Sequence, residues 1–243
     1  MFEYDRTDDR LTLRSEGTRW LSNGFDGGYR EADAAHNLTV PEGFDRTNLA
    51  AYADERLGDR AAGPTLLTGV SQRHARCARL GPVEVVATAG LSNPAALPMD
   101  VDARSAERGG APPEVKGDEQ VEGKPGFRPG TVNVFVGTTR ALDDGGLAGL
   151  LATAVEAKAA TLLHAADVPG TTSDAVVVGA DPGGGFSRFA GSATAVGGAA
   201  RACVRDAVLA SLASRYEGEA GPPEFEAARY GVVTDESARV FEP

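Results

Sequence analysis

Hydrophobic and polar positions are most regular between Gly130 and Gly198. Val132, Val134 and Val136 alternate with Asn133 and Phe135, the period of two of a β-strand. The period then lengthens. Leu147, Leu150, Leu151, Ala154, Thr161, Leu162 and Ala165 share one face at 3.6 residues per turn, which predicts a helix over 144–166. Lys158 falls inside that apolar stripe, and Glu156 projects to the opposite side. Asp174–Ala180 is a short, nearly continuous apolar run, as in a strand covered on both faces. Thr194 caps a further helix that runs to about Arg215. A parallel strand that follows a helix returns beside the strand before it, so Asn133 and the Ser173–Asp174 pair are expected on neighbouring strands with Lys158 above them.

The flanks are less regular. Residues 1–22 predict two or three short strands, marked by Leu11-Thr12-Leu13 and Arg19-Trp20-Leu21, before turns at Asn23-Gly24 and Gly27-Gly28. His36 reads as a polar residue at a strand end. Residues 46–58 predict a helix with Leu49, Tyr52, Ala53 and Leu57 on one face and Gly58 as its stop. Strands over 64–70 and 83–89 are separated by a basic, helical segment whose His74 is expected on a solvated face. The strand over 83–89 ends in a turn with Ser92 and Asn93 at its tip, a common way to offer hydrogen bonds and an equally common way to turn. Residues 98–129 hold proline, glycine and charge, and predict a mobile insertion within a single domain of residues 1–243. A last strand is expected around 230–233. The fold class is α/β or α+β, a layered domain with a mixed central β-sheet covered by the 144–166 and 194–215 helices.

Composition narrows the setting. An apolar fraction of 42% over 243 residues is ample for one core. A net charge of −11 argues against nucleic acid or an anionic membrane as partner, and with so little lysine looks like a protein of a salt-adapted, halophilic archaeon. No signal peptide, lipidation motif or 18-residue apolar run is read, so a cytoplasmic protein is expected. Cys77 and Cys203 form no CxxC pattern and are expected as small buried hydrophobes. Three histidines, without HExxH or G-x-S-x-G, give neither a zinc site nor a familiar triad, and no metal ligand is assigned.

Lys158 is then the conspicuous residue. The other lysines, Lys116 and Lys124, lie in the loop-like stretch, and 21 arginines carry the remaining positive charge. A lone buried ammonium costs several kcal/mol, so Lys158 either snorkels to the surface or meets a carboxylate.

Five runs resemble the adenosylcobinamide amidohydrolase family: ATAGLSNP at 87–94, GTVN at 130–133, TAVEAK at 153–158, GTTSD at 170–174, and FAG at 189–191 with TAVG at 194–197. The resemblance extends roughly from Trp20 to Leu212. It implies hydrolysis of the amide between a corrinoid's propionyl side chain and its aminopropanol arm, releasing adenosylcobyric acid and 1-amino-2-propanol in corrinoid salvage for coenzyme B12 synthesis. The corrinoid is the substrate, and no cofactor is implied. Two departures stand out: the family usually has a Gly-Thr-Gly-Thr-Asp type run where this chain has GTTSD, and often tyrosine where it has Phe189, so no role goes to a ring oxygen.

Amide hydrolysis requires a nucleophile, an acid for the departing amine and donors for the developing oxyanion. Two schemes fit. Asp174 or Glu156 is the base for water while Lys158 protonates the leaving nitrogen; or Ser173 or Thr172 attacks with Lys158 as its base. Asn93 and Asn133 are candidates for the oxyanion or the substrate's amides, and Gly191 with the amides opening the Thr194 helix for a carboxamide oxygen or phosphate. A non-catalytic corrinoid-binding or carrier protein is the alternative, and a nucleotide-dependent enzyme built on the glycine turn a third. Homo-oligomerisation and metal requirement stay open.

Overall fold

The computed structural model describes residues 1–58, 62–99, 130–219, 221 and 231–242. The insertion expected at 98–129 lies, beyond Met99, outside the described residues. In chain order the elements are β1 (Glu3–Arg6), β2 (Arg10–Ser22), β3 (Gly28–Thr39), α1 (Leu49–Leu57), β4 (Thr65–Thr68), β5 (Arg76–Leu80), β6 (Val83–Ala89) and β7 (Pro94–Ala96). There follow β8 (Val132–Thr138), α2 (Asp144–Ala166), β9 (Gly170–Thr171), β10 (Ala175–Ala180), α3 (Ala195–Arg215) and β11 (Val232–Val233).

One large mixed sheet has the order β4-β3-β2-β10-β8-β6-β5, with β1 on β2. β8 and β10 are parallel neighbours joined through α2, as the strand–helix–strand pattern predicts, with Ala175 opposite Asn133. A small sheet, β11-β7-β9, holds the segment after β6 against the run before β10.

β6, β8 and β10 are buried on both faces. On one face Val85, Val134 and Val176 pack with Leu147, Leu150, Val204 and Val208 of α2 and α3. On the other, Val86, Phe135 and Val177 meet Leu13, Trp20 and Phe2. The sheet supplies its own second layer by curling. Asn133 on β8 donates to Asn37 Oδ1 of β3 at 2.8 Å and to the Leu67 carbonyl of β4 at 3.0 Å, although β2 and β10 separate these strands within the sheet.

Helix ends follow their capping residues. Asp143 and Thr194 accept from the Gly146 and Gly197 N–H groups at 2.7 and 3.0 Å, and α1 stops at Gly58 with φ 56°. α2 is long and apolar enough, by length and composition, to cross a membrane, which the sequence reading does not anticipate; 50% of its most apolar window is buried within the fold.

Three expectations need correction. Residues 10–22 form one long strand, and a register shift between Arg14 and Thr18 accounts for its broken pattern. The basic segment after β4 is a single 3₁₀ turn, Gln72–His74, followed by edge strand β5, not a helix. Arginines lining the open side of an edge strand read like the charged face of a helix. For the same reason Cys77, on β5, is exposed while Cys203 is buried.

Candidate active site

The start of β8, the start of β10 and the segment after β6 meet at one end of the sheet, because β6 runs antiparallel to β8 and β10 parallel to it. α2 lies across this end and brings Lys158 down onto it. Its Nζ forms an ion pair with Asp174 Oδ2 and lies 3.5 Å from the Pro169 carbonyl. The two side chains are 8% and 10% exposed, so the ammonium in the apolar stripe has a carboxylate partner and does not snorkel. Removing either partner of such a pair costs about 3–5 kcal/mol, since the other charge stays buried.

The carboxylate is held on every side. Asp174 Oδ1 accepts from the Val132 N–H at 2.9 Å and the Thr171 hydroxyl at 2.5 Å, and Oδ2 accepts from the Thr171 N–H at 3.0 Å besides Lys158. Four donors match the roughly four lone-pair sites of a carboxylate. Gly170 closes over the pair: a Cβ there would lie 2.5 Å from Asp174 Oδ2 and 2.8 Å from Lys158 Nζ.

Beside the pair is a cluster of hydroxyls and one amide. Asn93 Nδ2 donates to Thr172 Oγ1 at 2.6 Å and reaches Ser173 Oγ at 3.5 Å, while the Thr172 N–H donates to the Asn93 carbonyl at 3.1 Å. Ser173 Oγ and Thr131 Oγ1 share a hydrogen bond of 3.0 Å. Asn93 is buried, whereas Thr172 and Ser173 are exposed.

Ser173 and Asp174 open onto a cavity of about 310 Å³. Asn23 and Thr131 complete its polar end; Phe25, Phe44, Leu49 and Leu66 make an apolar wall. Asn23 is a residue that sequence reasoning missed. Its Oδ1 accepts from the Val176 N–H at 2.7 Å, splicing the turn after β2 onto the head of β10. Asn-Gly is an ordinary turn signal, so nothing in the sequence marks this use.

Lys158, Asp174, Ser173, Thr172 and Asn93 therefore come together; the other candidates do not. Glu156 is exposed and faces Arg201 at 3.4 Å. Asn133 sits on the cavity side of β8, yet its amide belongs to a buried chain in which Asn37 Nδ2 donates to Gln72 Oε1 at 3.2 Å and Thr88 Oγ1 at 3.0 Å. Thr194 and Gly191 lie towards the far end of α3. Along that helix Cys203 is by Val83 and Ser211 by Ala89, so α3 approaches the Asp174 end only at its C-terminus. At about 1.5 Å per residue, Thr194 is roughly 25 Å from Ser211. There its hydroxyl is used in capping, accepting from the Gly197 N–H and donating to the Gly191 carbonyl at 2.9 Å.

Neither histidine singled out joins the cluster. His36 is buried within β3 against Thr12, at 3.1 Å. His74 is buried and not solvated: its Nε2 accepts from Arg73 at 2.9 Å and its Nδ1 lies 3.1 Å from Ser214 Oγ. Among the described residues, no group of three or more His, Cys, Asp or Glu side chains is arranged to hold a metal ion.

Comparison with known proteins bears on the chemistry. The family model described as adenosylcobinamide amidohydrolase matches residues 3–220. A protein of Halobacterium salinarum named adenosylcobinamide amidohydrolase is 52% identical over 248 aligned positions, covering 100% of both chains.

Proposed function

The chain belongs to the adenosylcobinamide amidohydrolase family, and we propose that it hydrolyses the corrinoid's aminopropanol amide beside the Asp174–Lys158 pair. Adenosylcobinamide is converted to adenosylcobyric acid and 1-amino-2-propanol, a step of corrinoid salvage. The observation that carries the site is a buried acid–ammonium pair whose aspartate is, with Ser173 and Thr131, among the residues lining a cavity.

Water is the nucleophile. Of the four donors on Asp174, Lys158 and the two backbone N–H groups are fixed by charge or by chain; the Thr171 hydroxyl alone can rotate away and free an acceptor site. As water bonds to the amide carbon, Asp174 takes its proton, and as the C–N bond breaks Lys158 gives a proton to the departing nitrogen. Transfer from Asp174 to Lys158 restores the pair, so one water has been added across the bond. The Ser173 and Thr131 hydroxyls, with the Asn93 amide behind them, are the donors for the carbonyl oxygen as it gains charge. Glu156 has no part in this scheme, since it is exposed on the other side of α2.

A cavity of about 310 Å³ takes an amide side arm and not a corrin macrocycle. The aminopropanol arm therefore enters with its methyl group towards Phe44, Leu49 and Leu66, and the macrocycle stays outside. A hydroxyl nucleophile at Ser173 is the second reading, favoured by its exposure at the cavity. Against it, the Lys158 ammonium is turned to Asp174.

Mass spectrometry of purified protein incubated with adenosylcobinamide is expected to detect both products; a substrate recovered intact would contradict the reading and favour a carrier. Because side chains carry every step, dialysis against EDTA is expected to leave the rate unchanged. A loss restored by a divalent cation would contradict the scheme.

A further inference from the structure

A second cavity, of about 450 Å³, opens at the C-terminal end of α3, where Arg73, His74, Ser214 and Arg215 form one wall and Glu217 and Glu219 the rim. Several surface arginines on this acidic chain meet carboxylates, as Arg30 meets Asp26 at 2.8 Å and Arg46 meets Glu55 at 2.7 Å, while others, Arg14, Arg140 and Arg188 among them, have none within 4.0 Å among the described residues. Among the described residues Arg73, Arg76 and Arg215 have no carboxylate within 4.0 Å, although two glutamates line the same cavity.

The hydrogen bonds at the cavity wall fix a donor. A guanidinium can only donate, so the Arg73 Nε contact of 2.9 Å makes His74 Nε2 the acceptor and leaves the ring proton on Nδ1. That proton points to Ser214 Oγ at 3.1 Å. Arg76 Nη2 donates to the same oxygen. Ser214 thus faces the His74 proton with both its hydroxyl and its backbone, its Oγ accepts from Arg76, and among the described residues its own hydroxyl proton is given to no acceptor. The imidazole stays neutral: burial, then the charges of Arg73, Arg215 and Arg76, hold its pKa below the ordinary value.

We infer that this cavity is a binding site for a tetrahedral oxyanion of the phosphate class, which takes the Ser214 proton and faces the Arg73 and Arg215 guanidiniums. Arg76 contributes charge while holding Ser214 in place, its other nitrogen being 3.0 and 2.9 Å from the Arg73 and Ala75 carbonyls. Glu217 and Glu219 are exposed beyond the helix end, and the deeper lining presents the Arg73 and Arg215 guanidiniums and the Ser214 hydroxyl, with Arg76 behind it. The site is separate from the Asp174 cavity, although Ser211 and Tyr216 tie its helix to the segment that carries Asn93, accepting from the Ala89 and Leu91 N–H groups at 2.9 and 3.0 Å.

Calorimetric titration of the full chain with inorganic phosphate tests this. Saturable binding is expected, weakened about tenfold in Arg215→Gln, which disturbs only a stacking contact on Tyr216, and at least as much in Ser214→Ala. Glycerol phosphate in place of inorganic phosphate distinguishes an ester-borne phosphate, if it binds more tightly, from the free ion, if it does not. By NMR, phosphate is expected to raise the His74 pKa, because the anion offsets the arginine charges. No saturable heat, affinities unchanged in both variants, or an unmoved His74 titration would each overturn the site.

Discussion

The two ends of the central sheet each bury a carboxylate beside a cation, and only one of them opens onto a cavity large enough for an amide side arm. At the far end from Asp174, Glu84 pairs with Gly137 of β8 across the sheet. It accepts from the Phe2 N–H at 2.9 Å, the Tyr4 hydroxyl at 2.7 Å and Arg79 at 2.7 Å. Burial works against its charge, but those three donors together hold its pKa below the ordinary carboxylate value. Burial and the Glu84 contact push the Tyr4 pKa upward, so the phenol keeps the proton it donates. The cavity there is about 10 Å³, room for one water at most. At the Asp174 end the cavity is about 310 Å³, and exposed hydroxyls stand beside it. A buried carboxylate with a cation is therefore an ordinary way to pin a strand such as β1; space and exposed hydroxyls turn it into a candidate site.

The largest losses are expected at the Asp174–Lys158 pair. Asp174→Asn and Lys158→Met are each expected to lower turnover of adenosylcobinamide by about 10²–10⁴-fold, the usual contribution of an acid–base group, while circular dichroism shows the fold retained. Ser173→Ala sharpens the mechanism. With water as nucleophile it is expected to cost about tenfold, the loss of one donor to the oxyanion; abolished turnover would make Ser173 the nucleophile.

At the other end, Glu84→Gln is expected to cost about 1–3 kcal/mol of stability in chemical denaturation and to leave turnover unchanged. Its pH dependence has a definite sign. Because the folded pKa of Glu84 is depressed, its contribution is present above the unfolded value and is lost as pH falls through the folded one. The difference between wild type and Glu84→Gln is therefore expected to shrink below pH 4.5. The smallest effect is expected from Glu156→Ala, which breaks only an exposed contact with Arg201 and should change neither rate nor stability by more than a few tenths of a kcal/mol.

Much of this was legible in residue order. A lysine inside an apolar helical stripe needs a partner, and a parallel strand following that helix brings one, so Lys158 and Asp174 could be paired from the sequence. Asn93 and the Thr172–Ser173 hydroxyls meet because β7 pairs with β9, a contact of two short strands with no period of their own. In that case the matched family runs marked the residues where periodicity did not. Glu156 belongs to the same run as Lys158, but two residues along a helix is about 200° round it, on the opposite face. Gly191 and Thr194 resemble a ligand-binding turn, yet β10 carries the chain to the opposite end of the sheet before they occur. Asn23 was hidden because its use depends on the antiparallel pairing of β2 with β10, a contact between residues more than 150 positions apart.

Whether Asp174 and Lys158 act as one unit is decided by a double-mutant cycle on single-turnover cleavage of adenosylcobinamide. If the two groups pass one proton between them, the double variant Lys158→Met/Asp174→Asn cleaves no more slowly than the slower single variant. Losses that multiply would mean that the two side chains contribute independently, and would contradict the shared role.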